Sequence, residues 1–160
     1  VTCDCCMKSS FSGLRYKCLI CFDYDLCQSC HDMKAVSSRH KSSHSMQCIP
    51  TRADMGILYS GEPSSSLVIQ SFSCPHCSKM GFNSQLLADH VRTCHRDRIS
   101  VEICPICASL PGGDANHVTD DLSQHISTSH QRPILELVRL FFLLVIVFIL
   151  KLNKLQLLGI

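Results

Sequence analysis

The chain has 160 residues with 13 cysteines, 9 histidines and no tryptophan, and 15 basic against 13 acidic side chains give a formal charge of +2. Twenty apolar residues fall in the last 27 positions, which leaves the rest too lean for one large core and points to small modules held by metal or disulfides. An odd cysteine count, plentiful histidine and no basic-plus-apolar leader argue against a disulfide framework and for zinc in a reducing, cytoplasmic setting.

Residues 1–48 carry four ligand pairs in order: Cys3/Cys6, Cys18/Cys21, Cys27/Cys30 and His40/His44. A structural zinc takes four Cys or His ligands, so four pairs make two sites. Either the two central pairs close one site and the outer pairs the other, or the pairs interleave, first with third and second with fourth. Interleaving is favoured, because two crossing staples tie together a module with little core. The order Cys-x2-Cys, Cys-x2-Cys, Cys-x2-Cys, His-x3-His, with RYKCLICFDYDLCQSC at its centre, resembles the ZZ-type zinc finger, a relative of the RING cross-brace. The resemblance implies one site at Cys3, Cys6, Cys27 and Cys30 and another at Cys18, Cys21, His40 and His44, with Cys5 a rival to Cys6 in the run CDCC.

A fold that joins the first pair to the third also carries Asp4 toward Asp23 and Asp25. Three clustered carboxylates select a cation, whereas the plainer reading makes them solvated turn acids. ZZ modules of several ubiquitin-pathway and chromatin proteins use acids at these positions to hold a free protein N-terminus. The resemblance therefore implies a substrate N-terminus site at Asp4, Asp23 and Asp25.

Residues 49–72 contain Gly, Pro and a Ser run without Cys or His, and read as a linker with a short strand at 67–69. Two finger-like units follow, 73–96 and 97–131, sharing Cys-Pro-x-Cys, an amphipathic segment and His-x4-His. In the first, Cys74, Cys77, His90 and His95 have Cys2His2 spacing, with Cys94 a rival to His95. A helix through QLLADHVRTCH, capped by Asn83 or Ser84, puts His90 on an inner face with Leu86 and Leu87. In the second, Cys104, Cys107, His125 and His130 enclose a gap of 17 residues, and His117 is the rival ligand. Gly112 and Gly113 make a turn there, Thr119 caps the helix, and Asp120 and Asp121 suit its positive end. The expected fold is α+β: small zinc-stabilised modules, a cross-brace finger followed by two ββα-like fingers, four zinc ions and no large hydrophobic core.

Four zinc ions on ten thiolates and six neutral histidines bring the formal charge close to zero, so composition gives no nucleic-acid footprint. The helix positions that would face bases, Asn83, Leu86 and Asp89 and then Val118, Asp121 and Gln124, include no Arg or Lys, which disfavours sequence-specific DNA binding. CPHC at Cys74–Cys77 matches a redox dithiol, but the paired histidines favour metal. Cys5, Cys48 and Cys94 are left over as small side chains without a base, His31 and His76 are expected to face solvent, and no catalytic constellation is visible. The run LFFLLVIVFIL, 140–150, rises about 16 Å as a helix and about 26 Å when extended back to Ile134, with Glu136 and Arg139 then included. Membrane association through residues 134–158 is the marginal expectation for this tail.

The ZZ-like module followed by SFSCPHCSKMGF and VEICPICASLPGGDANHVTDDLSQHISTSH is similar to the potassium channel modulatory factor family of E3 ubiquitin ligases, whose paired fingers are of the plant drought-induced type. The similarity covers residues 1–131, and the chain departs from the family from Arg132 onward. It implies a RING-like E3 ubiquitin-protein ligase without a nucleophile of its own. The implied partners are an E2 ubiquitin-conjugating enzyme, protein substrates with exposed N-termini and subunits of a larger ubiquitin ligase. A non-catalytic substrate adaptor is the runner-up, and a nucleic-acid-binding zinc-finger protein the third reading.

Overall fold

The computed structural model describes residues 1–130 apart from Ser12, residues 51–70, Ile99 and Pro111. The expected strand at 67–69 and the apolar tail lie outside the described residues. Among the described residues no helix is long and apolar enough to cross a membrane.

The first module is built on a three-stranded antiparallel sheet in the order β2-β1-β3, with β1 at Arg15–Cys18, β2 at Asp25–Cys27 and β3 at Met46–Ile49. Lys17 stands opposite Asp25 on one side and Gln47 on the other, so the period-two alternation puts Arg15 and Lys17 on the face that Asp25 shares. Tyr16 takes the opposite face, where the His31 ring stacks on it at 3.6 Å. His31 belongs to α1 (Gln28–Asp32), the short helix that carries Cys30 inward.

The second module begins at Phe72, which bridges Phe82 across the CPHC turn and is fully buried. Helix α2 (Ser84–Cys94) follows, with the Asn83 side chain accepting from the Leu86 amide at 2.8 Å. The third unit is an open hairpin of β4 (Glu102–Ile103) and β5 (Val118–Thr119), interrupted by α3 (Pro105–Ser109), and then helix α4 (Leu122–Ser129). Pro105 starts α3 where a missing N–H costs nothing. The turn after α3 closes through Gly113, whose amide donates to the Leu110 carbonyl at 3.0 Å. A Cβ there would sit 2.4 Å from the Cys107 carbonyl oxygen, so only glycine fits.

Two local expectations change. Thr119 does not cap α4; its Oγ1 accepts from the Asp121 amide at 3.2 Å, and Asp121 is the cap, accepting from the Gln124 amide at 2.8 Å. Leu86 is 54% exposed, because the apolar stripe of α2 runs through Leu87, Ala88 and Val91 toward α4, while His90 faces the metal ligands from a different side. One expected inner face is in fact two.

That stripe makes the fingers a single body. Phe72, Leu87, Ala88, Val91, Ile106, Leu122 and Ile126 form one core with Cys74 and Cys104, and Ser123 Oγ donates to the Ala88 carbonyl at 3.1 Å. A buried seam joins the third unit to the first module. The Ile103 amide donates to the Leu19 carbonyl and the Leu19 amide to the Ser45 carbonyl, both at 2.9 Å, and Leu19, Ile103 and Ala108 pack together beside Ile49. Buried Gln47 donates to the Ser71 carbonyl at 3.0 Å and accepts from the Ser73 amide at 2.9 Å, and Ser45 Oγ donates to the Pro75 carbonyl at 2.7 Å. Both ends of the 49–72 segment are thus engaged, Ile49 in β3 and Phe72 in the finger core.

Candidate metal centres and acidic pocket

The structure gathers four ligand sets: Cys3, Cys6, Cys27 and Cys30; Cys18, Cys21, His40 and His44; Cys74, Cys77, His90 and His95; Cys104, Cys107, His125 and His130. Within each set the donor atoms lie within 4.8 Å of one another. A tetrahedron with Zn–S near 2.3 Å and Zn–N near 2.0 Å has edges of about 3.3 to 3.8 Å. The recorded separations fall close to that range, with Cys6 Sγ to Cys27 Sγ at 3.8 Å, Cys77 Sγ to His90 Nε2 at 3.3 Å, and Cys107 Sγ to His125 Nε2 at 3.4 Å. The first-with-third and second-with-fourth crossing is therefore the one the fold makes. Cys5 is exposed outside the first set, and Cys94 is exposed outside the third, with its sulfur against Thr93 Oγ1. His117 stacks on His125 at 4.4 Å instead of joining the fourth set.

The donors suit zinc chemically. Burial lowers the pKa of His40, His44, His90, His95, His125 and His130, which keeps the imidazoles neutral and able to ligate at pH 7. Burial pushes the Cys18 thiol up to about 11 and the Cys74 and Cys104 thiols up to about 12, so a cation is needed to hold them as thiolates. Cys3 differs: burial opposes its ionisation, but backbone groups of Cys6, Cys27 and Cys5 bond its sulfur and bring it down to about 6. His40 Nδ1 and His95 Nε2 are buried with no hydrogen-bond partner, as ring nitrogens reserved for a metal would be. The residues fit zinc at all four sets.

The three acids of the first module have different surroundings. Asp4 and Asp25 are tied twice: the Asp4 amide donates to the Asp25 carbonyl at 2.8 Å, and the Asp25 amide donates to Asp4 Oδ2 at 2.6 Å. The Asp25 carboxylate is buried and gripped by Arg15, whose Nε and Nη2 donate to its two oxygens at 2.8 and 3.1 Å. Lys17 Nζ is fully buried 3.9 Å from the same carboxylate, and burial lowers its pKa. Asp4 and Asp23 are exposed. The Asp23 backbone has φ +49°, and its partner comes from the third unit: Asn116 Oδ1 accepts from the Asp23 amide at 3.0 Å, and Asn116 Nδ2 donates to Asp23 Oδ1 at 3.1 Å.

Comparison with known proteins adds the relatives. The model of the ZZ-type zinc finger matches residues 1–42, and that of the zinc-binding Drought induced 19 protein (Di19) matches residues 70–131. Over 133 residues, 83% of the chain, it is 52% identical to E3 ubiquitin-protein ligase KCMF1 of Homo sapiens. Across these zinc modules the chain is a homologue of the KCMF1 proteins. It is also 48% identical to E3 ubiquitin-protein ligase Kcmf1 of Drosophila melanogaster over 86% of its length, and 34% identical to kcmf-1 of Caenorhabditis elegans over 81%. The chain spans between about a quarter and a third of the KCMF1 proteins it matches, 35% of the human one and 23% of the fly one. No solved structure matches it.

The single Di19 match across both fingers agrees with their shared core. Within this ZZ-Di19 body, sequence reasoning misplaced His76, whose side chain is only 4% exposed with Nδ1 2.9 Å from Glu102 Oε1. Burial pushes His76 down to about 4 and Glu102 up, so the buried setting favours the less charged forms on both sides. His31 is likewise partly covered by its stacking on Tyr16. No local pattern marked Gln47, Ser45 or Asn116, because their partners lie 24 to 93 residues away.

Proposed function

We propose that the chain acts as an E3 ubiquitin-protein ligase in protein ubiquitination and degradation. The observation that carries this is the 52% identity, over most of the chain, to proteins that bear that name. In the RING-like manner, the zinc modules place a substrate beside a ubiquitin-charged E2 enzyme, and ubiquitin passes from the E2 thioester without a nucleophile from this chain. Subunits of a larger ligase are further partners. The activity is cytoplasmic, with residues 134–158 as a membrane-associating tail.

The ZZ module takes the substrate by its free N-terminus. Arg15 grips the Asp25 carboxylate and Lys17 Nζ lies 3.9 Å from it, so the acid charge left for an α-ammonium is that of Asp4 and Asp23. Asp25, held bidentately by Arg15, fixes the strand, and the exposed Asp4 and Asp23 make the contact. A role in reading DNA is further disfavoured because Asn83 and Asp121 serve as helix caps and α2 and α4 pack on each other.

The test combines autoubiquitination across a panel of E2 enzymes with binding of a peptide carrying a free N-terminus and of its acetylated twin. Ubiquitin chains with at least one E2, and loss of the free-over-acetylated preference in Asp23→Ala at unchanged zinc content, are expected. No activity with any E2 alongside retained peptide binding would replace the ligase by the substrate adaptor. Equal binding by Asp23→Ala and parent would remove the N-terminus site.

A further inference from the structure

The third unit has a longer ligand gap than the second, and its loop reaches the first module. Asn116 on that loop bonds Asp23, 93 residues earlier, with both ends of its amide. The loop is itself set: the Asn116 amide donates to Asp114 Oδ1 at 3.0 Å, the His117 carbonyl accepts from the Cys104 amide at 2.9 Å, and Val118 begins β5. β5 pairs with β4, whose Ile103 amide is bonded to Leu19, four residues before Asp23. The Asp23–Asn116 contact therefore rests on a buried seam with Leu19 and Ile103 at its centre, not on a chance meeting of surface side chains.

The chemistry of the contact differs from that at Asp25. Arg15 neutralises the Asp25 carboxylate, whereas an amide orients a carboxylate and leaves its charge in place. Asn116 Oδ1 also occupies the Asp23 N–H and so fixes the backbone of this non-glycine residue at φ +49°. One carboxylate oxygen is bound to Asn116, and the other has no hydrogen-bond partner among the described residues.

We infer that Asn116 is a positioning residue of the N-terminus site, so that the acidic pocket of the ZZ module is completed by the third finger. This rests on the reading of Asp4, Asp23 and Asp25 as that site. The ZZ module and the Di19 pair are then one recognition unit: the fingers set the angle at which Asp23 meets an α-ammonium.

Two substitutions in the whole zinc-loaded chain, Asn116→Ala and Asn116→Asp, test the inference by titration with the same free and acetylated peptides. Hydrogen exchange at the Asp23 amide and zinc content are measured alongside. Asn116→Ala should weaken the free peptide about five- to tenfold, speed exchange at Asp23 and leave four zinc ions bound. Asn116→Asp separates positioning from simple attraction, because it adds negative charge beside the pocket. Positioning predicts weaker binding, since two facing carboxylates push Asp23 away; attraction alone predicts tighter binding. Parent-like affinity in Asn116→Ala, or tighter binding in Asn116→Asp, overturns the inference while leaving the N-terminus site intact. A parent chain that does not prefer the free over the acetylated peptide overturns the site and the inference with it.

Discussion

In the ZZ module four of the six buried core residues are ligand cysteines, Cys3, Cys18, Cys27 and Cys30; Tyr24 and Leu26 are the other two, with Phe11, Tyr16, Ala35 and Met46 packed partly buried against them. In the finger pair two of nine are, Cys74 and Cys104, and the other seven are side chains brought together by packing α2 on α4. The first core leans chiefly on the metal that holds its cysteines, whereas the second has a helix–helix contact of its own. Two regions with the same ligand chemistry therefore differ in what zinc does for them: in one it holds most of the core together, and in the other it clamps a core that apolar burial has already begun.

The largest effect should come from breaking the ZZ side of this contrast. Cys27→Ser removes a ligand that is also a core residue, and a structural zinc contributes on the order of 10 kcal/mol of folding free energy. Amide NMR spectra should show the ZZ module unfolded while the α2 and α4 resonances stay dispersed. Collapse of both regions together would mean the seam, not the local metal, governs stability.

Ile126→Ala probes the other side. Ile126 is fully buried between the helices, and such truncations cost about 2 to 5 kcal/mol. Both fingers should lose stability in one denaturant transition with the ZZ module unaffected in its own signals; a loss confined to residues 97–130 would show that the fingers do not share a core.

Acidity sharpens the comparison at the ligands. In the finger pair, burial holds Cys74 and Cys104 near 12, so at pH 7 these thiols are protonated, and zinc must expel their protons. The histidines, whose pKa values burial lowers, are already neutral and have no proton to give. Zinc affinity should therefore climb with pH, and calorimetry in buffers of different ionisation enthalpy should record proton release at these thiols. The smallest effect belongs to the caps: Asn83→Ala or Asp121→Ala should cost about 1 kcal/mol in the finger pair, read by thermal unfolding, and nothing in the ZZ module.

What could be read from the sequence follows from how local each signal is. Ligand pairs announce themselves by two- to four-residue spacing, and the ZZ resemblance implied how the first four pairs cross, so the four sets could be assembled from Cys3 to His130. Asn83 was legible as a cap for the same reason. The exposure of Leu86 was not, because a helix packed against ligands on one side and against α4 on another has two inward faces that a single periodicity merges. The buried seam was hidden altogether. Gln47 with Ser71 and Ser73, Ser45 with Pro75, and Asp23 with Asn116 are polar pairs without a pattern, and only the docked fold brings them together.

Native mass spectrometry of the chain, in volatile buffer without chelator, tests the central claim most directly. The account predicts four zinc ions on the parent and still four on Cys5→Ser and Cys94→Ser, whose sulfurs lie outside every ligand set. Three or fewer on the parent, or loss of an ion from either variant, would contradict it.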